Sequence, residues 1–286
     1  MPTFETPAPI SASVDIVLGD ITFAAGERAD TVVEVQPIDP TRPLDIQAAD
    51  QVIIEYAQGR LQVKHPKLRT AFASRYGSVR VLVWLPAGSH VQGNTAEGEY
   101  VVQGVVGSCR LKNAIGDIRV EQASEVRLKT SGGRVTVDHV TGSADVSANG
   151  AVRVRRIDGD AEVTTVGGEI WIGEVGGELR ADSSVGGITV EVAHAAVKAK
   201  TATGHIRVGR LGSGPVDLSA AIGKLEVGVP AGIAVRLDAH TPTGRVRNLL
   251  DAADDQSGRT VKVRARCNGG GDIVVHRADA SLSSRG

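Results

Sequence analysis

The residues best suited to chemistry in this chain are its seven histidines and two cysteines. Such side chains bind metals when they recur at short spacings, as in Cys-x-x-Cys or His-x-x-x-His. Neither spacing occurs, so we predict no metal and no other cofactor. Cys109 and Cys267 are too few for a disulfide framework, and we expect both to be small buried hydrophobes. The histidines, all predicted to be solvated surface residues, are His65, His90, His139, His194, His205, His240 and His276.

Glycine-rich segments are the second place where chemistry could reside. Gly269-Gly-Gly-Asp272 is similar to a calcium-binding nonapeptide, but it occurs once and has no following copy, so we expect a turn. Gly167-Gly-Glu and Gly186-Gly-Ile precede no predicted helix, and no Gly-Lys-Ser/Thr is present. Ser183-Ser-Val-Gly186 lacks the Gly-x-Ser-x-Gly elbow of hydrolases. The sequence therefore predicts no catalytic residue and indicates no small-molecule substrate.

Composition narrows the class of protein. The 286 residues include 35 Gly but only eight aromatic side chains (3 Phe, 2 Trp and 3 Tyr), which disfavours a helical protein. A content of 41% hydrophobic residues disfavours disorder. A formal net charge of -1 provides no excess of positive charge to bind the phosphate groups of a nucleic acid, so we predict no nucleic-acid binding. Neither a signal peptide nor a membrane-spanning apolar stretch is recognisable, so we expect no membrane insertion and a cytoplasmic location.

A repeated motif, Gly-x-aliphatic-x-aliphatic, runs through the second part of the chain at intervals of 17 to 19 residues. Further apolar residues stand at fixed distances behind each glycine, the first at seven residues, for example Val105 behind Gly98. A degraded copy begins at Gly244 and a last one at Gly271. The regular marker glycines are Gly98, Gly116, Gly133, Gly150, Gly168, Gly186, Gly204 and Gly223.

A repeat of about 18 residues holds two or three short strands but no crossover helix, so its apolar face can be buried only against the next copy. We therefore predict an all-β parallel β-solenoid, a right-handed β-helix or roll. Residues 1–92, rich in Pro and aromatics, are predicted as a β-rich region with little or no helix that caps the stack. The rungs are expected at 93–250, a polar loop at 251–260, a final rung at 261–278 and a flexible tail at 279–286.

The outward position three residues after each marker glycine carries mixed charges, which is typical of a solvated, salt-bridged face. Trp171 is the exception, because a large aromatic there is a candidate contact anchor. Cover of its ring by a neighbouring side chain or loop is the open alternative. Arg153 and Arg207, on the same ladder, complete the predicted interaction site.

Four segments carry a family resemblance: Val17-Leu-Gly-Asp-Ile-Thr-Phe23, Gly77 to Ser89, the glycine ladder and Gly270-Gly-Asp-Ile-Val-Val275. Together they make the chain similar to a bacterial β-strand-repeat family of unknown function, the putative adhesin or toastrack family. The resemblance covers nearly the whole chain and implies a β-solenoid or β-roll. It also implies an association with cell-envelope stress or transport systems, and it supplies no catalytic residues.

Three functions are consistent with these patterns. The first is a non-enzymatic scaffold or protein-interaction module that binds a protein partner or itself. The second is an adhesin-like surface or glycan-binding protein. The third is a β-helix enzyme, either an acyltransferase or a polysaccharide-active enzyme, although the six-residue period of hexapeptide acyltransferases does not fit the spacing seen here.

Overall fold

The computed structural model describes residues 1–66, 76–250 and 260–278. The protein is almost entirely β-structure, 68% strand and 3% helix, and its parallel rungs confirm the predicted β-solenoid. Most of the expected polar loop, 251–259, and the expected tail, 279–286, lie outside the described residues. The chain divides into two compact units, Met1–Thr141 with Val146–Ala148, and Gly142–Asp145 with Asn149–Gly286.

Unit 1 is built from eleven strands and a single helix in the described part of the chain. Its elements are β1 (Thr3–Glu5), β2 (Ser11–Asp15), β3 (Gly19–Gly26), β4 (Asp30–Pro37), α1 (Pro43–Asp50), β5 (Ile53–Ala57), β6 (Arg60–Lys64), β7 (Val79–Pro86), β8 (His90–Glu97), β9 (Tyr100–Ile115), β10 (Ile118–Gly132) and β11 (Val135–Val140). Strand β12 (Ala144–Ala148) has residues in both units.

The stack in unit 1 does not follow chain order. Strand β2 pairs in parallel with both β6 and β8, and β3 pairs in parallel with both β7 and β9. The N-terminal strands therefore form a rung inserted between two later ones. Strands β5 and β4 run antiparallel to β6 and β7. They cover the edges of the first rung.

Helix α1 interrupts the predicted run of strands, and it begins at Pro43, a favoured first residue of a helix. Its Asp45 is 1% exposed. The two carboxylate oxygens of Asp45 accept hydrogen bonds from the backbone N–H groups of Ser78 at 3.0 Å and Asp39 at 3.2 Å. A buried carboxylate thus fixes the helix against the start of β7. The helix has eight residues, too short and too polar to cross a membrane, and it is the one helix in the described ranges.

In unit 2 each rung contributes one strand to each of two parallel ladders. Its strands are β13 (Val152–Ile157), β14 (Ala161–Gly167), β15 (Ile170–Val175), β16 (Leu179–Val185), β17 (Ile188–Ala193), β18 (Val197–Thr203), β19 (Ile206–Leu211), β20 (Val216–Ile222), β21 (Leu225–Val229), β22 (Ala234–His240), β23 (Val246–Asn248), β24 (Thr260–Gly270) and β25 (Ile273–Arg277). Odd-numbered strands from β13 to β21 form one ladder and even-numbered strands from β14 to β20 the other.

The last rung in chain order is not the last in the stack. Strand β24 pairs with β20 on one side and β22 on the other, and β25 likewise lies between β21 and β23. Burial explains this order. Val261, Val263 and Ala265 are at most 5% exposed and need cover on both sides, whereas all three residues of β23 are exposed. The degraded copy at Gly244 therefore closes the stack.

The marker glycines stack on one another at the corner of each rung. Gly186, Gly204 and Gly223 have φ of 145°, 153° and 152°, which L-residues rarely adopt. A Cβ on Gly204 would overlap the carbonyl oxygen of Gly186, and one on Gly223 would overlap that of Gly204. Both conformation and space thus require glycine, which is why the motif repeats.

In the regular copies of the repeat, the aliphatic positions follow the predicted offsets with one exception. Val105 is 45% exposed and Val106 takes its inward place. A β-bulge explains the shift. Gln103 and Gly104 of β9 lie opposite a single residue of β10, Glu121, so β9 contains one additional residue at this point. Cys109 and Cys267 are buried as predicted.

Candidate functional site

The three residues predicted as an interaction site lie on one ladder of unit 2. Strand pairing sets Arg153 beside Trp171, Trp171 beside Thr189, and Thr189 beside Arg207. Glu226 follows Arg207 on β21. We call this row of five side chains the Trp171 surface. Because each strand is rigidly hydrogen-bonded to the next, the spacing of these side chains is fixed at about 4.8 Å per rung.

Trp171 is held by contacts from two neighbouring rungs. The guanidinium carbon of Arg153 lies 3.9 Å from the ring centroid, a cation–π contact. The indole Nε1 donates a hydrogen bond to Glu191 Oε1 at 3.3 Å. The ring extends over Gly173, where an added Cβ would come within 3.0 Å of Cη2. Trp171 is therefore partly covered by neighbouring side chains and partly exposed, in one fixed orientation.

Arg207 does not share these contacts, because Thr189 separates it from Trp171. Its Nε lies 3.5 Å from Glu226 Oε1, and Lys224 and His276 approach the same carboxylate at 2.6 Å and 3.3 Å. Partial burial opposes ionisation of Glu226, but the hydrogen bond and the charge of Lys224, together with the neighbouring His276 and Arg207, lower its pKa. The structure thus brings Arg153 to Trp171 and places Arg207 in a separate charged cluster.

A cavity of about 660 Å³ opens beside this ladder in unit 2, lined in part by Glu174, His194, Arg210 and the loop 230–233. Glu174 accepts contacts on both oxygens, from His194 Nε2 at 2.8 Å and from Arg156 Nη1 at 3.2 Å. This carboxylate therefore joins side chains from different rungs. Within the described ranges, no three His, Cys, Asp or Glu side chains lie close enough together to hold a metal ion.

An exposed aliphatic corner runs along the other ladder of unit 2, just before the marker glycines. Val166, Val185 and Ile222 are 56%, 61% and 60% exposed. Val185 and Ile222 flank Thr203 in direct register. This corner is a second candidate contact surface, and the repeat pattern in the sequence did not indicate it.

Unit 1 carries a second cavity, of about 470 Å³, across the outward face of β6, β2, β8 and β9. Strand β2, which carries the small side chains of Ser11 and Ser13, lies between β6 and β8, whose outward side chains are longer. This difference in length creates a shallow polar groove. The sequence signal that points to this region is a repeated Arg-Leu-Lys, at 110–112 and again at 127–129, one rung apart.

His65 departs from the prediction of a solvated histidine. It is half-buried, its Nδ1 accepts a 3.4 Å hydrogen bond from the backbone N–H of Val17, and its Nε2 lies 3.1 Å from the Ala48 carbonyl oxygen. These contacts join the segment between β2 and β3, helix α1 and the residue that follows β6 in unit 1. Burial is the largest influence on this ring and lowers its pKa.

No protein-family model matches the chain, and no curated protein matches it. The relation to the toastrack family therefore stays a resemblance.

Two solved structures share features with the chain. One is a putative lipid binding protein from Parabacteroides distasonis, 12% identical, with a TM-score of 0.43, covering 95% of this chain and 96% of that one. The other is a putative cell adhesion protein from Clostridium sporogenes, 10% identical, with a TM-score of 0.20, covering 96% of this chain and 98% of that one. At these TM-scores neither structure assigns a function here.

Proposed function

We infer that this protein is a non-enzymatic β-solenoid interaction module that binds protein through the Trp171 surface. The observation that carries the proposal is the fixed, partly exposed indole, held by Arg153 on one side and Glu191 on another. Tryptophan and arginine are the side chains most often found at the energetic centre of protein interfaces. A ring already held in one orientation loses little conformational entropy on binding.

The charge pattern of the surface fits a second copy of the same chain. Arg153 and Arg155 lie on β13, at one end, and Glu191 and Glu226 lie on later rungs. In a two-fold arrangement the same patch contacts itself in reverse, so Arg153 and Arg155 of one copy face the rungs of the other copy that carry Glu191 and Glu226, the latter already paired with Arg207 and Lys224. The family resemblance would connect such a module to cell-envelope stress or transport systems.

Multi-angle light scattering after size exclusion, over a range of protein concentrations, tests this proposal. We expect the mass of the wild-type chain to rise towards twice that of a monomer, and Trp171→Ala to keep it monomeric. Thr189→Arg is a second variant, because it places bulk and charge in the middle of the surface without removing a buried group. Arg119→Ala is the matched control, since Arg119 occupies the equivalent outward position on β10 in unit 1.

A monomer at every concentration would overturn the proposal. Association that survives Thr189→Arg but is abolished by Val185→Ser with Ile222→Ser would overturn it too, and would assign the contact to the aliphatic corner.

A further inference from the structure

The last rung of unit 2 leaves one side of its backbone without a partner strand. Strand β22 pairs with β24 along its whole length, from Ala234 beside Thr260 to His240 beside Arg266, and β23 pairs with β25. Among the strands of the described residues, no other pairs with the far side of β22 or β23. A strand at the edge of a sheet presents a row of unpaired N–H and C=O groups. The stack of unit 2 therefore ends in an open strand edge.

The apolar stripe of this last rung is uncovered as well. The three inward residues of β24 are at most 5% exposed, since β24 lies between β20 and β22. Their register partners on β22, Val235, Leu237 and Ala239, are only half-buried. Val246 on β23 is 46% exposed, although its partner Ile273 is fully buried. We call β22 and β23 with these four uncovered apolar side chains the open end.

The first rung of unit 1 shows how this fold protects an edge. There β5 and β4 run antiparallel to β6 and β7, and β1 pairs with β4. Phe4 of β1 and Tyr56 of β5 then lie with their ring centroids 5.0 Å apart. At the open end, β22 contains no proline, its register with β24 has no bulge, and its inward positions carry no charge. The edge of β22 is therefore able to accept a further strand.

The outward charges of the open end determine which strand fits it. Arg236 on β22 lies beside Lys262 of β24 in register. The one carboxylate on β22, that of Asp238, already contacts Arg264 at 3.4 Å and Arg266 at 3.5 Å. A strand that adds to β22 would place one outward side chain directly opposite Arg236. An acidic side chain is favoured at that position, because opposite charges on adjacent strands attract.

A second copy of this chain fits the open end less well than an acidic strand. On β22 and β23 the only acidic side chain is Asp238, and two arginines of the same chain already hold it. Arg236 and Arg247 would come with it, so the second copy would bring more positive than negative charge to an end that is already basic.

We propose that the open end binds an extended segment of another protein, which adds as a further β-strand beside β22. The segment has aliphatic residues at alternate positions, which pack on Val235 and Leu237, and an acidic residue opposite Arg236. In such strand addition, main-chain hydrogen bonds supply the affinity and the alternate side chains supply the specificity. The open end shares no residue with the Trp171 surface, so this binding goes beyond the proposed function.

Fluorescence anisotropy of a labelled peptide, Thr-Val-Glu-Val-Thr-Val-Glu, titrated with the full chain, tests the proposal. In parallel register with β22 the peptide sets its valines beside the apolar stripe and a glutamate beside Arg236. We expect saturable binding. Replacing both glutamates by lysine should weaken it about tenfold, because attractive cross-strand pairs become repulsive.

Backbone methylation of the peptide separates strand addition from simple apolar contact. Two versions are compared, each N-methylated at alternate amides. In a strand beside β22, only one of these two sets of amides can donate hydrogen bonds to it. We therefore expect one version to lose binding and the other to keep it.

Arg236→Glu is the decisive variant of the chain, because the residue is exposed and its replacement should not affect folding. It should weaken binding of the glutamate peptide and strengthen binding of the lysine peptide. Arg119→Glu is the matched control, since it makes the same change of charge at an exposed outward position on β10 in unit 1. Leu237→Ser should also weaken binding, and Val185→Ser, at an exposed aliphatic residue of β16, is its control.

No saturable binding up to about 1 mM chain would overturn the proposal. So would an equal loss in the Arg119→Glu control, or N-methylated versions that both bind or both fail to bind. A Trp171→Ala chain that stays dimeric, and becomes monomeric when Leu237→Ser is added, would assign the open end to a second copy and overturn the proposal too. Peptide binding to Trp171→Ala should match wild type, so this proposal and the proposed function can fail separately.

Discussion

Arg153 and Trp171 stand at equivalent positions on successive rungs, and the guanidinium carbon of Arg153 lies 3.9 Å from the centre of the indole ring. Two features follow from this one contact. The ring is held still, and one of its faces is shielded by a cation. An aliphatic side chain in place of Arg153 would neither form a cation–π contact with the ring nor place a charge on its face. The pair therefore gives unit 2 a defined aromatic surface.

Removing the cation should loosen the ring. We expect Arg153→Ala to lower the free energy of unfolding by about 0.5 to 1 kcal/mol, the usual size of an exposed cation–π contact. The emission of Trp171, recorded in a Trp84→Phe background, should change in the same variant. Chemical denaturation and fluorescence measure both effects. Arg155→Ala is the control and should change neither, because no contact of Arg155 with the ring is seen.

The stacked glycines should be the least replaceable residues of the repeat. Gly204→Ala combines a φ of 153° with an overlap on the Gly186 carbonyl, and we expect it to cost about 3 kcal/mol or more. Gly167→Ala is the matched control, because its Cβ would come no closer than 3.7 Å to a neighbour. Its partner Val185 already carries a side chain in the same column. Equal stability of the two variants in urea would contradict this explanation of the motif.

A buried column of small polar side chains inside unit 2 offers a paired test. Thr201 Oγ1 donates a 3.0 Å hydrogen bond to the Gly186 carbonyl, whereas Ser183 Oγ, one rung earlier, has no hydrogen-bond partner among the described residues. Thr201→Val should therefore cost about 1 kcal/mol, because it removes the hydrogen bond to a partly buried carbonyl. Ser183→Ala should be neutral or stabilising. The reverse order in urea denaturation would show that the hydroxyl bond does not stabilise this column.

His65 should make unit 1 sensitive to mild acid. Burial lowers the pKa of His65 below its ordinary value of 6.5, while the Ala48 carbonyl and Asp15 oppose part of that change. The unfolded chain then takes up this proton at higher pH than the folded chain, so stability is present above about pH 6.5 and is lost as the pH falls through the folded pKa. We expect the unfolding temperature of His65→Gln to fall less than that of wild type between about pH 7 and about pH 5. His205→Gln, at an exposed site, should behave like wild type.

Most of the fold could be predicted because the same pattern of glycine and aliphatic residues recurs in every rung. Gly204 and its counterparts stand where only glycine fits, and the aliphatic residues behind them alternate with period two. Val105 departs from this pattern because a fixed distance from the marker glycine takes no account of the bulge at Gly104. The position of β2 between β6 and β8, and of β24 between β20 and β22, could not be predicted either. The order of strands in the stack depends on which apolar faces must be buried. The spacing of the motifs along the chain does not specify that order.

The candidate sites were predictable only in part. Trp171 stood out as the one aromatic at the outward position three residues after a marker glycine. Its partner Glu191 lies at a different offset, so the hydrogen bond between them could be found only from the structure. Arg207 shares the ladder yet belongs to the Glu226 cluster, because pairing depends on the neighbours present at each rung. The repeated Arg-Leu-Lys was visible in the sequence, but only the register shows that Lys112 lies beside Lys129.

Hydroxyl-radical footprinting of the wild-type chain at low and high protein concentration tests the proposed function most directly. Oxidation of Trp171 should decrease as the concentration rises, while oxidation of Trp84, in unit 1, stays constant and serves as the internal control. The decrease should vanish in Thr189→Arg. Oxidation of Trp171 that is independent of concentration in the wild-type chain would contradict the assignment of this surface to self-association.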